Sequence, residues 1–331
     1  MKERIVLAYT GGLPISVAIP WLAEVYGAEV VTLTLDLGQG RDLEEIRDRA
    51  LATGAVRAHV LDVREEFARD FVLPALHAGA QHDGRDSMAA ALAWPLIAKK
   101  LLEIASIERA TAMAHGCTGS DRTRMDASAR ALNPDIRVIA ASRADAPRHS
   151  THANLWGRAD TVTKPQNPSP RAPAPTDPPG TPAHVEISFD RGVPVAINGV
   201  PMVLAELIDS LSIIAGRHGV GRISETESEM AGVRVCHVSE APAAVVLHAA
   251  HRALETAVLS GGVTRRKRAR AAEYAQLVLS GLWFTAAREA MDALNAEAQD
   301  SVTGAVRITL FEGTLVTVEA TERAHAAVPH A

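Results

Sequence analysis

Residues 4–16 read RIVLAYTGGLPIS, an apolar stretch followed by a glycine turn and then by a helical pattern from Ser16 onward. The apolar part predicts a buried strand. A strand, a glycine turn and a helix in this order commonly bind an anion, because the amides of the turn and of the first helical turn point toward one spot. Pro14 lies inside the turn and contributes no N–H. The stretch therefore predicts an α/β fold with a candidate phosphate loop of altered chemistry.

The rest of the first half alternates between strand-like and helix-like segments. Strands are predicted at Arg4–Tyr9, Glu29–Asp36, Ala58–Asp62, Ala110–His115 and Ile136–Ala140, and helices at Ser16–Tyr26, Asp42–Thr53, Ala89–Ala105 and Asp126–Leu132. This alternation is typical of a mostly parallel sheet with helices on both faces, which binds ligands beyond the carboxyl ends of its strands. We therefore expect the loops Thr10–Leu13, Gly38–Gly40 and Gly116–Ser120 at that edge.

A proline-rich segment separates the two halves, since eight of the 18 prolines fall between Thr161 and Ala183. It predicts an extended connector. The second half reads as α+β, with a hairpin over 185–199, helices at Leu204–His218, Ala241–Leu259 and Arg266–Asn295, and a final strand pair at Gly304–Phe311 and Leu315–Ala320. The expected domains are thus 1–160 for nucleotide binding, a linker over 161–184, an α+β domain over 185–323 and a tail over 324–331.

Composition restricts the class of protein. The chain has 331 residues, 47% of them hydrophobic and 22% charged, with a net charge of −5, which fits an ordinary globular protein of more than one domain. The basic run at 265–268 is expected to be a solvated helix face, and neither nucleic acid nor a membrane is an expected partner. Cys117 and Cys236 have no metal-ligand spacing, which favours a reducing cytoplasm.

Two further motifs carry polar groups that could act on a ligand. Residues 114–126 read AHGCTGSDRTRMD, and residues 149–158 read HSTHANLWGR. Taken singly, the first reads as a polar loop with a solvated arginine. In the second, Ser150 and Asn154 could simply cap a helix. Their joint occurrence behind the glycine turn is more informative than either motif alone.

In this order the motifs resemble the argininosuccinate synthase family over most of the chain. The segments that carry the resemblance include AYTGGLPIS (8–16), LTLDLGQG (33–40), REEFARDFVLPAL (64–76), ALAWPLIAKKLLEIA (91–105), AHGCTG (114–119), NLWGR (154–158), VEISFDRGVPVAING (185–199) and EAPAAVVLHAAHRALE (240–255).

The resemblance implies a Rossmann-like ATP-pyrophosphatase domain followed by an α+β synthetase and oligomerisation domain. It implies a cytoplasmic ligase of arginine biosynthesis and the urea cycle that uses ATP and Mg²⁺ to join citrulline to aspartate. The ureido oxygen of citrulline would attack the α-phosphate, releasing pyrophosphate, and the aspartate amine would then displace AMP. Such chemistry depends mainly on positioning and charge stabilisation.

The resemblance also implies site residues, although it singles out no side chain as the certain catalytic group or as a metal ligand. The nucleotide positions are Ala8, Tyr9, Thr10, Gly11, Gly12, Ser16, Leu35 and Gly116. The amino-acid substrate positions are Asp86, Thr118, Asp121, Arg124, Ser150 and Glu227.

Several positions depart from the family pattern. Pro14 and Ile15 stand where the family loop has aspartate and threonine, and Asp86, Ala159 and Ser239 replace a tyrosine, a serine and a tyrosine. The segment between Ala140 and His149 is short. No counterpart of the family's C-terminal assembly helix is recognised, so we expect a weakened homo-oligomer.

Three hypotheses follow from these departures. The protein is a synthase with relaxed motifs, a divergent ligase that prefers a cationic substrate beside Asp86, or a non-catalytic nucleotide-binding homologue with a degraded loop. Pro14 could serve as the first helical residue and so preserve the shape of the loop. Restoring aspartate at 14 and threonine at 15 is expected to raise pyrophosphate release and to leave stability nearly unchanged.

Overall fold

The structure is a computed structural model that describes residues 2–40, 42–82, 88–141, 150–163, 179–228 and 234–321, with the backbone alone described at 150–152, 159–163, 223–228 and 234–238. The strands are β1 (Arg4–Ala8), β2 (Glu29–Asp36), β3 (Arg57–Asp62), β4 (Ala112–His115), β5 (Arg137–Ala140), β6 (Ser150–Asn154), β7 (Gly157–Thr163), β8 (Ala183–Asp190), β9 (Val193–Ile197), β10 (Val200–Pro201), β11 (Arg222–Ser228), β12 (Arg234–Glu240), β13 (Gly304–Phe311) and β14 (Thr314–Thr321). The helices are α1 (Leu13–Ser16), α2 (Ala18–Tyr26), α3 (Leu43–Ala52), α4 (Arg64–Phe67), α5 (Leu73–Ala78), α6 (Ala89–Glu108), α7 (Gly119–Leu132), α8 (Leu204–Arg217), α9 (Pro242–Val258), α10 (Gly261–Leu279) and α11 (Ala286–Gln299), with a π-helical turn at Ala68–Val72.

The first half builds a five-stranded parallel sheet, which confirms the predicted fold class. Its strand order is β3-β2-β1-β4-β5, and β1 pairs in parallel with β2 on one side and with β4 on the other. Apolar strand residues such as Ile5, Leu7 and Val30 pack with Ile19 and Leu22 of α2. Because the central strands β1, β2 and β4 are buried on both faces, they read as continuous apolar runs in the sequence.

The second half contributes two antiparallel sheets. One has the order β10-β9-β8-β13-β14, and the other has the order β11-β12-β7-β6. The hairpin predicted around Arg191 and Gly192 is confirmed as the β8–β9 turn. The α+β interpretation of this half is therefore also confirmed.

The chain divides into two compact units that interleave along the sequence. One comprises 1–67, 90–148 and 276–288, and the other comprises 68–89, 149–275 and 289–331. The consecutive domain ranges stay a prediction. Thr161–Thr163, expected in the connector, instead continue β7 and pair with β12, and the rest of the connector up to residue 178 lies outside the described residues.

Two helix predictions are wrong in their boundaries. The segment predicted as one helix from Arg266 to Asn295 forms α10 and α11, because the chain turns at Gly281, where φ is 76°. The amides of Gly281 and Leu282 donate to the carbonyls of Val278 and Leu277, a C-terminal motif that favours glycine. Helix α7 begins at Gly119, seven residues before the predicted start.

Ser150 and Asn154 do not cap a helix, since both lie in β6. The Asn154 side chain instead accepts hydrogen bonds from the amides of Trp156 (2.9 Å) and Gly157 (3.2 Å). Asparagine side chains often close turns in this way. Within the described part of the chain, no helix is long and apolar enough to span a bilayer.

Candidate active site

The parallel sheet places the three predicted nucleotide segments side by side. Strands β2, β1 and β4 are neighbours in the sheet, so the turns after Ala8, Asp36 and His115 leave the same edge. The chain order reverses between β1 and β4, and a crevice at the carboxyl ends of such strands is where open α/β sheets bind ligands. Gly116 is exposed at this point, so its backbone is accessible to a ligand.

The glycine turn after β1 has a backbone that only glycine adopts easily. Gly11 has a φ of 76°, and a Cβ there would lie 2.7 Å from Cγ1 of Ile46. Helix α1 then begins at Leu13, so Pro14 is its second residue. From the sequence, Pro14 was suggested as the first helical residue. Proline is tolerated in the first turn of a helix, where its missing N–H breaks no intrahelical bond. The turn therefore keeps its shape with Pro14 in place.

Ile15 is buried and packs against the neighbouring strand end. It belongs to the core cluster that contains Tyr9 and Ile19, and its Cδ1 would lie 2.8 Å from a Cβ on Gly116. The residue that replaces the family threonine thus fills space between the turn after β1 and the turn after β4. Because Ile15 is buried, exchanging it is now expected to lower stability, whereas the sequence alone predicted almost no change.

The buried side chains of Tyr9 and Ser16 stabilise the loop through hydrogen bonds. The Ser16 hydroxyl donates to the Gly12 carbonyl at 3.0 Å. It also lies 2.7 Å from the Tyr9 hydroxyl. A serine hydroxyl has one proton, so Tyr9 donates to Ser16 in this chain of hydrogen bonds. The two side chains, both buried, shape the turn between Thr10 and Gly12.

Arg49 of α3 also contacts the loop, which could not be expected from the sequence. Its Nη1 donates to the Gly11 carbonyl at 2.6 Å, and its Nη2 pairs with Glu45. In the sequence, Glu45 and Arg49 look like an ordinary i,i+4 surface pair. Arg49 therefore adds a partly exposed positive charge beside the glycine turn.

The turn after β2 is closed by the side chain of Gln39. Its amide nitrogen donates to the Leu35 carbonyl at 2.7 Å, and its oxygen accepts from the Leu37 amide at 2.7 Å. The Gly38 amide donates to Asp36 Oδ1 at 2.9 Å. The predicted nucleotide position Leu35 thus lies where this hydrogen-bonded turn begins. In the sequence, a glutamine between two glycines is the feature that indicates the turn.

The turn after β4 is held by His115. This residue is fully buried; its Nδ1 accepts from the Cys117 amide at 3.2 Å, and its Nε2 lies 3.0 Å from Asp126 Oδ1. Burial lowers the pKa of His115 despite the Asp126 carboxylate, so the ring is a neutral Nε2–H tautomer that fixes the loop around Gly116. Burial also raises the pKa of the Cys117 thiol, which disfavours nucleophilic chemistry there.

Asp121 and Arg124, predicted to contact amino-acid substrates, contact each other. Nη1 of Arg124 donates to Asp121 Oδ1 at 2.8 Å, and its Nε donates to the Leu279 carbonyl at 2.7 Å. Trp94 also donates to Asp121 Oδ1, at 2.9 Å. Both charged side chains are mostly buried, so they form one fixed unit on α7. Thr118 is the residue that precedes this helix and is exposed.

The other substrate positions are described less fully. Ser150 and Glu227 lie on β6 and β11, the two edge strands of the four-stranded antiparallel sheet, and Asp86 lies outside the described residues. Ala159 pairs directly with Ser239 across β7 and β12. Two departures from the family pattern are therefore cross-strand neighbours, which the sequence separation of 80 residues conceals.

Both halves of the chain match one family of enzymes. Residues 4–162 match the family described as "Arginosuccinate synthase N-terminal HUP domain", and residues 149–326 match "Arginosuccinate synthase C-terminal domain". The argininosuccinate synthase of Symbiobacterium thermophilum is 44% identical, covering 94% of this chain and 86% of that protein. Those of Streptococcus suis and Carboxydothermus hydrogenoformans are both 39% identical, covering 94% and 95% of this chain.

A solved structure of an NAD+ synthetase from Burkholderia pseudomallei aligns with 42% of this chain and 53% of its own, at 19% identity and a TM-score of 0.28. That likeness is too low to support an inference. The family matches cover both halves of the chain and agree with the parallel sheet and its three adjacent turns. The chain therefore belongs to the argininosuccinate synthase family.

Proposed function

We propose that this protein is an ATP-dependent ligase that joins citrulline, or a closely related substrate, to aspartate with release of AMP and pyrophosphate. The observation that carries the proposal is the meeting of three turns at the switch point of the parallel sheet. Family membership supplies the reaction. A bond forms between the ureido oxygen and the α-phosphorus as pyrophosphate leaves, and the aspartate amine then takes the place of AMP.

The nucleotide is proposed to bind across Thr10–Gly12, the turn after Leu35, and Gly116, with Ala8 at the end of β1. The tight turn at Gly11, where φ is 76°, and the exposure of Gly116 support this placement, because phosphates need close approach to backbone. Tyr9 and Ser16 hold the turn in shape, and Arg49 contributes positive charge beside it. These groups position the reactants and stabilise charge, which is the main protein contribution to phosphoryl chemistry.

Mg²⁺ is proposed to enter with the phosphates of ATP. Among the residues that the structure describes, no group of three or more His, Cys, Asp or Glu side chains could hold a metal ion. Mg²⁺ is commonly bound through substrate phosphates with few protein ligands, which is the reason for proposing that it arrives with the nucleotide.

Arg124 is proposed to bind a substrate carboxylate, with Asp121 and Trp94 fixing the orientation of its guanidinium. An arginine suits this role because its planar fork matches a carboxylate. Thr118, Ser150, Glu227 and Asp86 are proposed to complete the amino-acid sites. The paired changes at Ala159 and Ser239 remove one hydroxyl group and replace a tyrosine ring by a short hydroxyl side chain at one place in the sheet, which would alter the contacts made with the ureido substrate.

We also propose a cytoplasmic location and assembly into a homo-oligomer, and both proposals rest on family membership. The domain ranges 1–160, 161–184 and 185–323 are proposed on the sequence pattern alone.

The test is pyrophosphate release by the full chain with ATP, Mg²⁺, citrulline and aspartate, beside a panel of cationic amino acids in place of citrulline. Release that depends on both amino acids supports the proposal. Arg124→Ala is expected to abolish most of the release, whereas Arg130→Ala, an exposed arginine on the same helix, serves as the matched control. ATP binding without release for any amino acid would favour the non-catalytic hypothesis.

A further inference from the structure

A cavity of about 890 Å³ lies within the second unit, between one face of α9, helix α10 and strand β14. Helix α9 lines it with a stripe that runs from Val245 through Ala249 and Ala253 to Ala257, and β14 adds Leu315 and Val318. The volume falls within the range of small-molecule sites, which are mostly apolar with a few convergent polar groups. The apolar residues thus form a surface that suits the body of a small ligand.

Three arginines give the cavity positive charge. Arg222, Arg252 and Arg268 line it, and no aspartate or glutamate lies among the described lining residues. Arg268 is exposed, as expected for a solvated helix face, and it also lines the cavity, whereas Lys267 of the same basic run is buried against Glu255. Of these two neighbours, Lys267 therefore lies in the core and Arg268 lies beside the cavity.

The contacts that these arginines make are long. Arg252 lies 3.4 Å from Gln81 Oε1, and Arg268 lies 3.2 Å from Thr256 Oγ1. Arg222 Nε lies 3.5 Å from Glu240 Oε1. Charge-assisted hydrogen bonds of arginine are usually 2.7–2.9 Å. The guanidinium groups are thus close to polar partners but are not tightly bound by them.

Two buried nitrogens beside the cavity lack a partner within the described part of the chain. They are Nε2 of His248, a residue that is 4% exposed, and Nη2 of Arg222. The His248 ring packs beside Trp156 at 5.7 Å between centroids. Burial lowers the pKa of His248 to about 3, so the neutral ring can donate one hydrogen bond. Buried polar atoms are nearly always satisfied, so each of the two nitrogens has room for an acceptor, either a water molecule or an atom of a bound ligand.

We infer that this cavity binds a small organic oxyanion, a carboxylate or phosphate joined to an apolar body. The oxyanion would accept hydrogen bonds from the arginines and from His248, and the apolar body would lie against Ala249 and Val318. Arginine suits both anions because its fork donates two parallel hydrogen bonds. The described lining residues all belong to the second unit, and none of them is a nucleotide or amino-acid position proposed above.

The test uses phenyl phosphate and benzoate as probes, with benzyl alcohol as a neutral probe of similar size, titrated calorimetrically into the full chain. We expect at least one anion to bind at least tenfold more tightly than benzyl alcohol. Arg268→Gln is expected to weaken that binding about tenfold. Arg270→Gln, an exposed arginine on the same helix that does not line the cavity, is the control with the same change of charge.

The two probes distinguish the ligand classes. Binding of phenyl phosphate alone indicates a phosphate ligand, and binding of benzoate, alone or with phenyl phosphate, indicates that a carboxylate is accepted. Equal affinities in R268Q and R270Q would place the binding elsewhere, including at the phosphate loop, and would overturn the inference. No binding of either anion to the folded protein would overturn it as well.

Discussion

The altered phosphate loop offers a direct test of how its side chains contribute to catalysis. Pro14→Asp restores a carboxylate and an N–H at an exposed position, whereas Ile15→Thr restores a hydroxyl at a buried one. Because the turn already has its shape, the first change is expected to act on the reaction, and the second is expected to act on both the reaction and stability. The two single variants therefore have different expected outcomes.

The magnitudes follow from burial. Pro14→Asp is expected to cost about 0.4–1 kcal/mol, since losing a proline mainly releases unfolded-state entropy. Ile15→Thr removes packing against Gly116 and places a hydroxyl in the core, so it is expected to cost about 2 kcal/mol, or about 4–8 °C in melting temperature. One regained hydrogen bond to a charged group, at about 1.5–3 kcal/mol, corresponds to about 10- to 100-fold in pyrophosphate release.

The assay is pyrophosphate release at saturating ATP–Mg²⁺, with thermal unfolding measured on the same samples. Pro14→Ala restores the N–H without the carboxylate, and Ile15→Val removes one methylene without adding a hydroxyl, so these variants are the matched controls. The reasoning is refuted if Pro14→Asp releases pyrophosphate no faster than Pro14→Ala does. It is also refuted if Ile15→Thr unfolds at the wild-type temperature.

Three further predictions concern stability. Gly11→Ala is expected to lower the free energy of unfolding by about 2–3 kcal/mol, because φ is 76° and Ile46 occupies the space of a Cβ, while Gly12→Ala costs less than about 1 kcal/mol in denaturant titrations; equal losses would contradict this. Glu108 is buried and accepts hydrogen bonds from the partly exposed Arg57 at 2.7 Å and Arg4 at 3.1 Å. Glu108→Gln is therefore expected to cost about 1.5–3 kcal/mol, against almost nothing for the exposed Glu103→Gln on the same helix. Burial lowers the pKa of three histidines to about 3 (His77, His248 and His251). Their pKa in the unfolded chain is about 6.5, so the unfolded state binds more protons than the folded state below that pH. The free energy of unfolding, measured with urea, is therefore expected to be constant above about pH 6.5 and to fall between about pH 6.5 and 5. A flat profile over that range would show that these rings are already accessible to protons.

The local pattern of apolar residues was sufficient to predict the parallel sheet. The apolar runs at β1 and β2 and the helical spacing between them reflect burial on both strand faces, a constraint that acts on neighbouring residues and is visible in any short window. The family was likewise identified through a resemblance in the glycine turn and in the order of the motifs, because each motif is a contiguous stretch that can be compared in the sequence alone.

Tertiary structure decided what each polar side chain contacts. Arg124 and Asp121 are three residues apart, but only the approach of Leu279 and Trp94 turns them into a fixed pair. Lys267 reads as one more solvated cation until Glu255, on another helix, covers it. Whether a charged side chain is solvated or held by the protein depends on its burial and on its partners. Both are set by segments that are distant in the sequence.

Ile15 shows the same division within one loop. The sequence alone determined that a β-branched apolar residue replaces a hydroxyl, and hence that one hydrogen-bonding group is lost. Only the packing of α1 against the end of β4 decided that this side chain fills the space beside Gly116. Hydrogen-bonding capacity is a property of the residue, whereas the free energy of burying it is a property of its neighbours.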